Sequence, residues 1–147
     1  MADCLPALLH DPAAGVIGAV HCGWRGSVAD ILGAAVAQMC ALGAHPADIR
    51  AAIGPGIGAC CFEVGPEVVA AAEALLHEPL GALVRPRADG QALLDLKGVN
   101  ARRLAQLGVP AGQIAVSDAC TMCRPDVFWS HRATNGRRGV QAAVITL

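Results

Sequence analysis

The sequence predicts a single α/β (α+β) domain over residues 1–147, and three observations support this prediction. Short apolar runs alternate with longer segments whose apolar residues repeat at helical spacing. Hydrophobic residues make up 54% of the 147 residues and charged residues only 16%, a balance that disfavours a disordered chain. Aromatic residues reach only 3%, so the core is expected to be aliphatic.

The chain is predicted to begin with a β-hairpin. Apolar residues run over Leu5–Leu9 and Val16–His21, and Asp11-Pro12 between them is a turn signal. The later predicted elements are helix Val28–Leu42 with Ser27 as N-cap and Gly43 as C-cap, strand Ile49–Ile53, helix Pro66–His77, helix Leu93–Leu107, and strands Ile114–Val116 and Val140–Leu147.

Charge and hydropathy exclude several classes of partner. The net charge is −1 and there is no basic block, so we expect neither nucleic-acid binding nor a membrane-surface helix. No run of about 18 apolar residues predicts a membrane span, and no secretion signal opens the chain. Seven cysteines without such a signal favour a reducing, cytoplasmic location.

The first cluster of reactive residue types combines Asp3-Cys4 with the stretch "HCGWRG", residues 21–26. In a hairpin, Cys4 and His21 would lie near the same end of two adjacent strands. Both residue types bind zinc, although a catalytic zinc commonly has three protein ligands. The same pair could instead be a thiolate nucleophile and its general base, or a core thiol and a buried histidine.

Two glycines, Gly23 and Gly26, bracket Trp24-Arg25 and would let the backbone pass close to a ligand. The planar guanidinium of Arg25 suits phosphate or carboxylate. Trp24 could stack on a base or fill the core. From the pattern alone, a structural role in the core is favoured for Trp24.

The second cluster is "GPGIGACCFEVG", a tight turn whose N–H groups could face an anion. It is neither a Walker loop nor a dinucleotide fingerprint. Cys60 and Cys61 are adjacent, so in extended structure their side chains would diverge, and we do not expect them to bind one metal together. Phe62 and Glu63 are candidates for a pocket wall and a polar anchor.

The third cluster is "SDACTMCRPDVFWSHRATNGRRG". Cys120 and Cys123 have metal or redox spacing, but there is no second C-x-x-C pair of the kind that zinc ribbons use. Several hydrogen-bond donors follow in the same stretch: Ser130, His131, Arg132, Arg137 and Arg138. They would form either a phosphate clamp or a solvated basic turn.

The motifs "ADCLP", "HCGWRG", "GPGIGACCFEVG" and "DACTMCRPDVFWSHR", in this order, closely resemble those of the YfiH-like, laccase-domain family, also called the multicopper polyphenol oxidase family. The resemblance covers essentially the whole chain. It implies one α/β domain of mixed β-sheets sandwiched by helices, similar in layout to the cytotoxic necrotizing factor catalytic domain.

The resemblance also implies a zinc bound by His, Cys and His, of which the cysteine matches Cys4 and the second histidine matches His21. The first histidine belongs to an upstream motif that this chain does not contain. We therefore expect an N-terminally truncated domain, either a fragment or a chain whose start was misassigned at Met1. His10 and His131 are not expected to replace the third ligand.

The function implied by the resemblance is phosphorolysis of the purine nucleosides adenosine, inosine, guanosine and methylthioadenosine, with adenosine deamination in some members. The expected catalytic residues are Asp3, Cys4, His21 and Arg25, and the expected substrate-binding residues are Trp24, Phe62 and Arg132. In these roles the arginines neutralise phosphate, an aromatic ring faces the base, and Asp3 orients a ligand or acts as general base.

Three alternatives remain at this point. One is oxidation of phenols with copper, which five scattered histidines disfavour. Another is a Cys/His hydrolase that edits peptidoglycan. The last is a truncated domain that folds without turnover.

Overall fold

The computed structural model describes residues 1–147, which form two β-sheets and four α-helices. In chain order the elements are β1 Leu5–Asp11, β2 Val16–Cys22, α1 Trp24–Val28, α2 Ile31–Ala41, β3 Arg50–Ile53, β4 Glu63–Val64, α3 Pro66–Leu76, β5 Val84–Pro86, β6 Ala92–Leu94, α4 Leu96–Gln106 and β7 Ile114–Val116. The predicted mixed α/β class is confirmed. None of the helices is long and apolar enough to cross a bilayer.

The larger sheet is mixed, with strand order β2-β1-β3-β7. β1 pairs antiparallel with β2 and with β3, whereas β3 and β7 are parallel. The smaller sheet, β4-β6-β5, is antiparallel. Since β3 and β7 are parallel, the loops that follow them leave the larger sheet at the same end of its strands.

The predicted hairpin is present, and its register places Leu5 opposite Cys22 and Asp11 opposite Val16. The Asp11 carboxylate accepts hydrogen bonds from the backbone N–H groups of Ala13, Ala14 and His45 at 2.9, 3.0 and 2.8 Å. These bonds, those from Ala14 and His45 foremost, lower the pKa of Asp11. The turn is therefore held by a charged acceptor as well as by backbone pairing.

The prediction of one helix after Ser27 is wrong, because the segment forms two. Ser27 lies inside α1, where it is buried and its Oγ accepts a hydrogen bond from Asn100 Nδ2 at 3.0 Å. Asp30 caps α2 instead, from a left-handed conformation with φ 60°, by accepting from the Gly33 N–H. Asp and Ser are both good cap residues, and only the bend between the two helices decides which one is used.

The predicted helix Leu93–Leu107 begins later than expected. Leu93 and Leu94 belong to β6, and Asp95 then caps α4 by accepting from the Gly98 N–H at 3.0 Å. Leu93 and Leu94 pair with the neighbouring strands of the smaller sheet, and this tertiary pairing overrides the helical spacing of the two residues.

The predicted closing strand Val140–Leu147 is also wrong, since these residues form no strand. Val144 and Leu147 are 77% and 80% exposed, so the alternation of apolar residues has no sheet to join. The segment is attached through Gln141, whose backbone groups pair with those of Met1 at 2.7 and 2.9 Å.

The core is aliphatic, as expected, and forms one cluster of 27 buried residues that includes a single aromatic ring, Phe62. It lies between the larger sheet and the helices and continues under the smaller sheet. Polar groups within it are paired: the Asn100 amide donates to Ser27 and to the Leu96 carbonyl. The loops that carry the site are thus supported by an interior whose buried side-chain polar atoms all have hydrogen-bond partners.

Candidate active site

A cavity of about 400 Å³ opens at the end of the hairpin where β1 begins and β2 ends. All seven residues proposed from the sequence line it: Asp3, Cys4, His21, Trp24, Arg25, Phe62 and Arg132. They come from four separate parts of the chain, so the fold brings together what the motifs only suggested. Their individual roles stay predictions.

Cys4 and His21 lie side by side because the hairpin register brings the start of β1 to the end of β2. A Cβ atom added to Gly23 would lie 3.0 Å from Cys4 Sγ and 3.8 Å from His21 Nε2. Glycine at position 23 therefore leaves room for both ligand atoms. Burial, and then the charge of Asp3, raises the pKa of the half-buried Cys4 thiol.

The donor set at this point partly fits a catalytic zinc. Cys4 and His21 supply a sulfur and an imidazole nitrogen, two of the three protein ligands that such a zinc commonly uses. They do not belong to any group of three or more histidine, cysteine, aspartate or glutamate donors. A set with so few imidazoles does not fit a blue or trinuclear copper centre.

Asp3 connects the N-terminal segment to the loop that follows β7. Its carboxylate accepts a hydrogen bond from Thr121 Oγ1 at 2.8 Å and one from the backbone N–H of Arg132 at 2.7 Å. Its carbonyl accepts from the Ile57 N–H at 2.9 Å. Each carboxylate oxygen of Asp3 thus accepts one hydrogen bond from the protein, and its part in catalysis, as an orienting group or as a general base, stays a prediction.

Two arginines face the cavity, and each stacks on an aromatic ring. The guanidinium carbon of Arg25 lies 4.3 Å from the centre of the Trp24 ring, and that of Arg132 lies 5.9 Å from the centre of the Phe62 ring. Arg132 also donates to the Glu63 carbonyl at 3.2 Å. Stacking keeps each cation in a defined place while leaving donors free for an anion.

Sequence reasoning missed four lining residues, Met1, Ala2, Ile57 and Leu96, and it named His131 and Arg138 only as members of a possible phosphate clamp. His131 was not expected to reach the site, but it lines the cavity next to Arg132. The adjacency of His131 to Arg132 in "SHR" was the signal that could have placed it. His10, by contrast, pairs with Ile17 and Arg50 in the sheet, away from the cavity end of the hairpin.

Cys60 and Cys61 were not expected to bind one metal together, and their geometry contradicts this expectation. The sulfur atoms of Cys60, Cys61, Cys120 and Cys123 all lie within 4.8 Å of one another. The reason is local: the Gly58 carbonyl accepts from the N–H groups of Cys61 and Phe62, both at 2.9 Å, so the segment turns and its side chains do not alternate. We call these four residues the cysteine cluster.

Comparison with known proteins supports the resemblance of the motifs. A family model described as "Multi-copper polyphenol oxidoreductase laccase" matches residues 1–147. The chain is 46% identical over 146 residues to a purine nucleoside phosphorylase from Deinococcus radiodurans, covering 99% of this chain and 54% of that protein. It is 43% identical over 131 residues to adenosine deaminase RL5 from an unknown prokaryotic organism, covering 89% of this chain and 50% of that protein.

A solved structure gives the same result at the level of the fold. The crystal structure of YlmD from Geobacillus stearothermophilus superimposes with a TM-score of 0.87 at 39% identity, covering 95% of this chain and 52% of that one. The chain thus spans about half the length of the curated relatives it matches. On its motifs, its fold and the match to the family model, the chain belongs to the multi-copper polyphenol oxidoreductase laccase family.

Proposed function

We propose that the cavity binds a purine nucleoside and phosphate, and that the protein is a zinc-dependent purine nucleoside phosphorylase. The observation that carries this proposal is the pair of stacked arginines, Arg25 on Trp24 and Arg132 on Phe62, which face one cavity beside Cys4 and His21. Two cations suit an anion, and two rings suit a flat base. The volume of about 400 Å³ lies in the range of small-ligand sites.

In phosphorolysis an oxygen of hydrogen phosphate forms a bond to C1′ of the ribose while the bond from C1′ to the base nitrogen breaks, and the proton lost by the phosphate balances the one that the departing base takes. Arg25 and Arg132 would hold the phosphate and offset its charge as the bonds change. Trp24 or Phe62 would face the base. Cys4 and His21 would hold the zinc, which supplies a Lewis acid when bound.

The names of relatives support the substrate class: proteins called purine nucleoside phosphorylase and adenosine deaminase share 40% identity or more with this chain. The candidate substrates are adenosine, inosine, guanosine and methylthioadenosine. Deamination of adenosine is a second candidate, favoured by the relative that carries that name. Copper-dependent oxidation of phenols is not proposed, because the donor set does not fit.

The test is to supply adenosine with and without phosphate and to separate the products by chromatography. We expect adenine and ribose 1-phosphate only when phosphate is present. Turnover is expected to be slow in this chain, because Cys4 and His21 are two of the three protein ligands that a catalytic zinc commonly has, and no third donor is grouped with them. Inosine formed equally well without phosphate would replace phosphorolysis by deamination, and activity in a metal-free sample that iodoacetamide abolishes would favour the cysteine hydrolase.

Arginine variants separate phosphate binding from other effects. We expect Arg25→Ala and Arg132→Ala each to raise the KM for phosphate at least about tenfold, the effect of losing one charge-assisted hydrogen bond. The matched control is Arg50→Ala, on the exposed side of β3. An unchanged phosphate KM in both site variants would contradict the proposed anion site.

A further inference from the structure

The cysteine cluster lies outside the residues assigned to the nucleoside site. Cys60 and Cys61 are in the loop after β3, and Cys120 and Cys123 are in the segment after β7. Because β3 and β7 are parallel neighbours, both loops leave the sheet at the carboxyl ends of these strands. The topology therefore brings a Cys-Cys pair and a C-x-x-C pair from distant parts of the sequence to one place.

The spacing of the sulfur atoms suits one tetrahedral metal ion. Cys123 Sγ lies 3.5 Å from Cys60 Sγ and 3.4 Å from Cys61 Sγ, and all four sulfurs lie within 4.8 Å of one another. Four sulfurs that each bind a zinc at about 2.3 Å lie about 3.8 Å apart. A disulfide would need about 2.0 Å, and all four thiols are free.

The surroundings of the cluster also resemble those of a built site. The Gly58 N–H donates to Cys120 Sγ at 3.2 Å, the kind of hydrogen bond that orients a thiolate ligand. A Cβ atom at Gly58 would lie 3.1 Å from Cys120 Cβ and 3.3 Å from Cys60 Sγ, so a side chain there would crowd the sulfurs. Gly56 and Cys120 form a parallel bridge that fixes the two loops relative to each other.

A buried positive charge lies beside the cluster. Lys97 is 5% exposed, and its Nζ donates to the carbonyls of Ser117 and Ala119 at 2.8 and 2.7 Å, next to Cys120 in the chain. Four thiolates around a divalent ion carry a net charge of −2, and the Lys97 ammonium group would offset part of it. Lys97 forms no ion pair with a carboxylate, so the charge of the metal-bound thiolates would explain why a lysine is buried here.

We propose that Cys60, Cys61, Cys120 and Cys123 bind one structural zinc ion, separate from the site at Cys4 and His21. Binding of Zn²⁺ displaces the remaining thiol protons to solvent, and no oxidant or reductant is needed. All four positions of the metal are filled by protein, which is typical of structural rather than catalytic zinc.

Such a zinc would link two walls of the cavity. Phe62 follows Cys61 directly, and the segment that begins with Cys120 leads to Thr121, which donates to Asp3, and on to Arg132. The metal would therefore hold the Phe62–Arg132 pair in place without touching a substrate. The proposal does not depend on which reaction the cavity performs.

The test measures zinc per chain by elemental analysis after dialysis, in the wild-type protein and in variants. We expect Cys60→Ser combined with Cys123→Ser to lose about one zinc per chain. Both side chains are exposed, so this variant is expected to fold, as far-UV circular dichroism would verify. The matched control, Cys40→Ser, replaces an exposed cysteine of α2 outside the cluster and should keep the zinc.

A second variant, Cys4→Ser combined with His21→Ala, separates the two sites and should keep the cluster zinc. Cobalt(II) in that variant should give the visible absorption of a tetrahedral tetrathiolate complex. Equal zinc in the cluster variant and the wild type would overturn the proposal. So would iron in place of zinc, no bound metal after incubation with zinc, or a mass two hydrogens lower under reducing purification, which would indicate a disulfide.

Discussion

At the scale of single residues, the absence of a side chain at Gly23 leaves the space that the candidate metal ligands Cys4 and His21 occupy. We expect Gly23→Ala to lower kcat by up to about 100-fold, because its Cβ would lie 3.0 Å from Cys4 Sγ and displace it. The backbone at Gly23, φ −73° and ψ 161°, suits alanine, so the free energy of unfolding should hardly change. Steady-state kinetics and urea unfolding check the two expectations.

The control for this change is Gly112→Ala, where an added Cβ would meet no atom within 4 Å. That variant should keep the wild-type kcat. Equal kcat in Gly23→Ala and Gly112→Ala would show that the position of Cys4 does not matter for turnover.

Asp3 acts on Arg132 through the backbone, and its variants should show this. Asp3→Asn is expected to raise the KM for phosphate by about 10- to 100-fold, the equivalent of about 1.5–3 kcal/mol for a hydrogen bond to a charged group. Thr121→Val removes only one of the two donors to the carboxylate and should have a smaller effect in the same direction. A loss of kcat with unchanged KM in Asp3→Asn would instead support a general base.

At the scale of elements, Asp30 joins two helices. Its carboxylate caps α2 and accepts two hydrogen bonds from the Arg103 guanidinium of α4, at 2.8 and 2.6 Å. We expect Asp30→Ala to lower the free energy of unfolding by about 1 kcal/mol or more, because the cap is lost and alanine tolerates φ 60° poorly. Asp30→Asn keeps a cap residue and a tolerated φ, so it isolates the contribution of the charge.

The contribution of that charge should depend on pH. The hydrogen bond from Arg103 lowers the pKa of Asp30, so the folded state favours the ionised carboxylate. The stability difference between wild type and Asp30→Asn should be present above about pH 4 and shrink as pH falls through the lowered pKa. Urea unfolding at pH 7 and at pH 3 measures it, and an equal difference at both values would contradict this role.

The elements also show what can be predicted from sequence. The hairpin could be predicted because its two apolar runs and the turn signal between them lie within about twenty neighbouring residues. The cap of α2 and the start of α4 were not, because Ser27 and Leu93 satisfy the local rule equally well and long-range partners decide. Local chemistry identifies candidates, and tertiary contacts choose among them.

The same distinction applies to the two sites. The cavity residues were predicted because the reactive residue types are grouped in short motifs. The cysteine cluster was missed because adjacent cysteines diverge in a strand, and only the turn at Gly58 and the parallel pairing of β3 with β7 bring them to Cys120 and Cys123. Its formation depends on the fold as a whole.

At the scale of the whole molecule, Gln141 ties the C-terminal segment to the N-terminal one. Its side chain donates to the Ala2 carbonyl at 2.8 Å and accepts from the Trp129 N–H at 3.0 Å. We expect Gln141→Ala to speed amide hydrogen exchange near both segments while the core strands stay protected. Hydrogen-exchange mass spectrometry measures the rates, and the control is Gln38→Ala at an exposed position of α2. Unchanged exchange rates near the two segments in Gln141→Ala would contradict this role of Gln141.

The scarcity of aromatic residues has an optical consequence. The chain contains two tryptophans and no tyrosine; Trp24 lines the cavity under Arg25, and Trp129 is 52% exposed. Intrinsic fluorescence therefore comes from one ring inside the cavity and one in water. Replacing Trp129 with phenylalanine would leave a single emitter at the cavity wall, whose quenching would report occupancy directly, without any added dye.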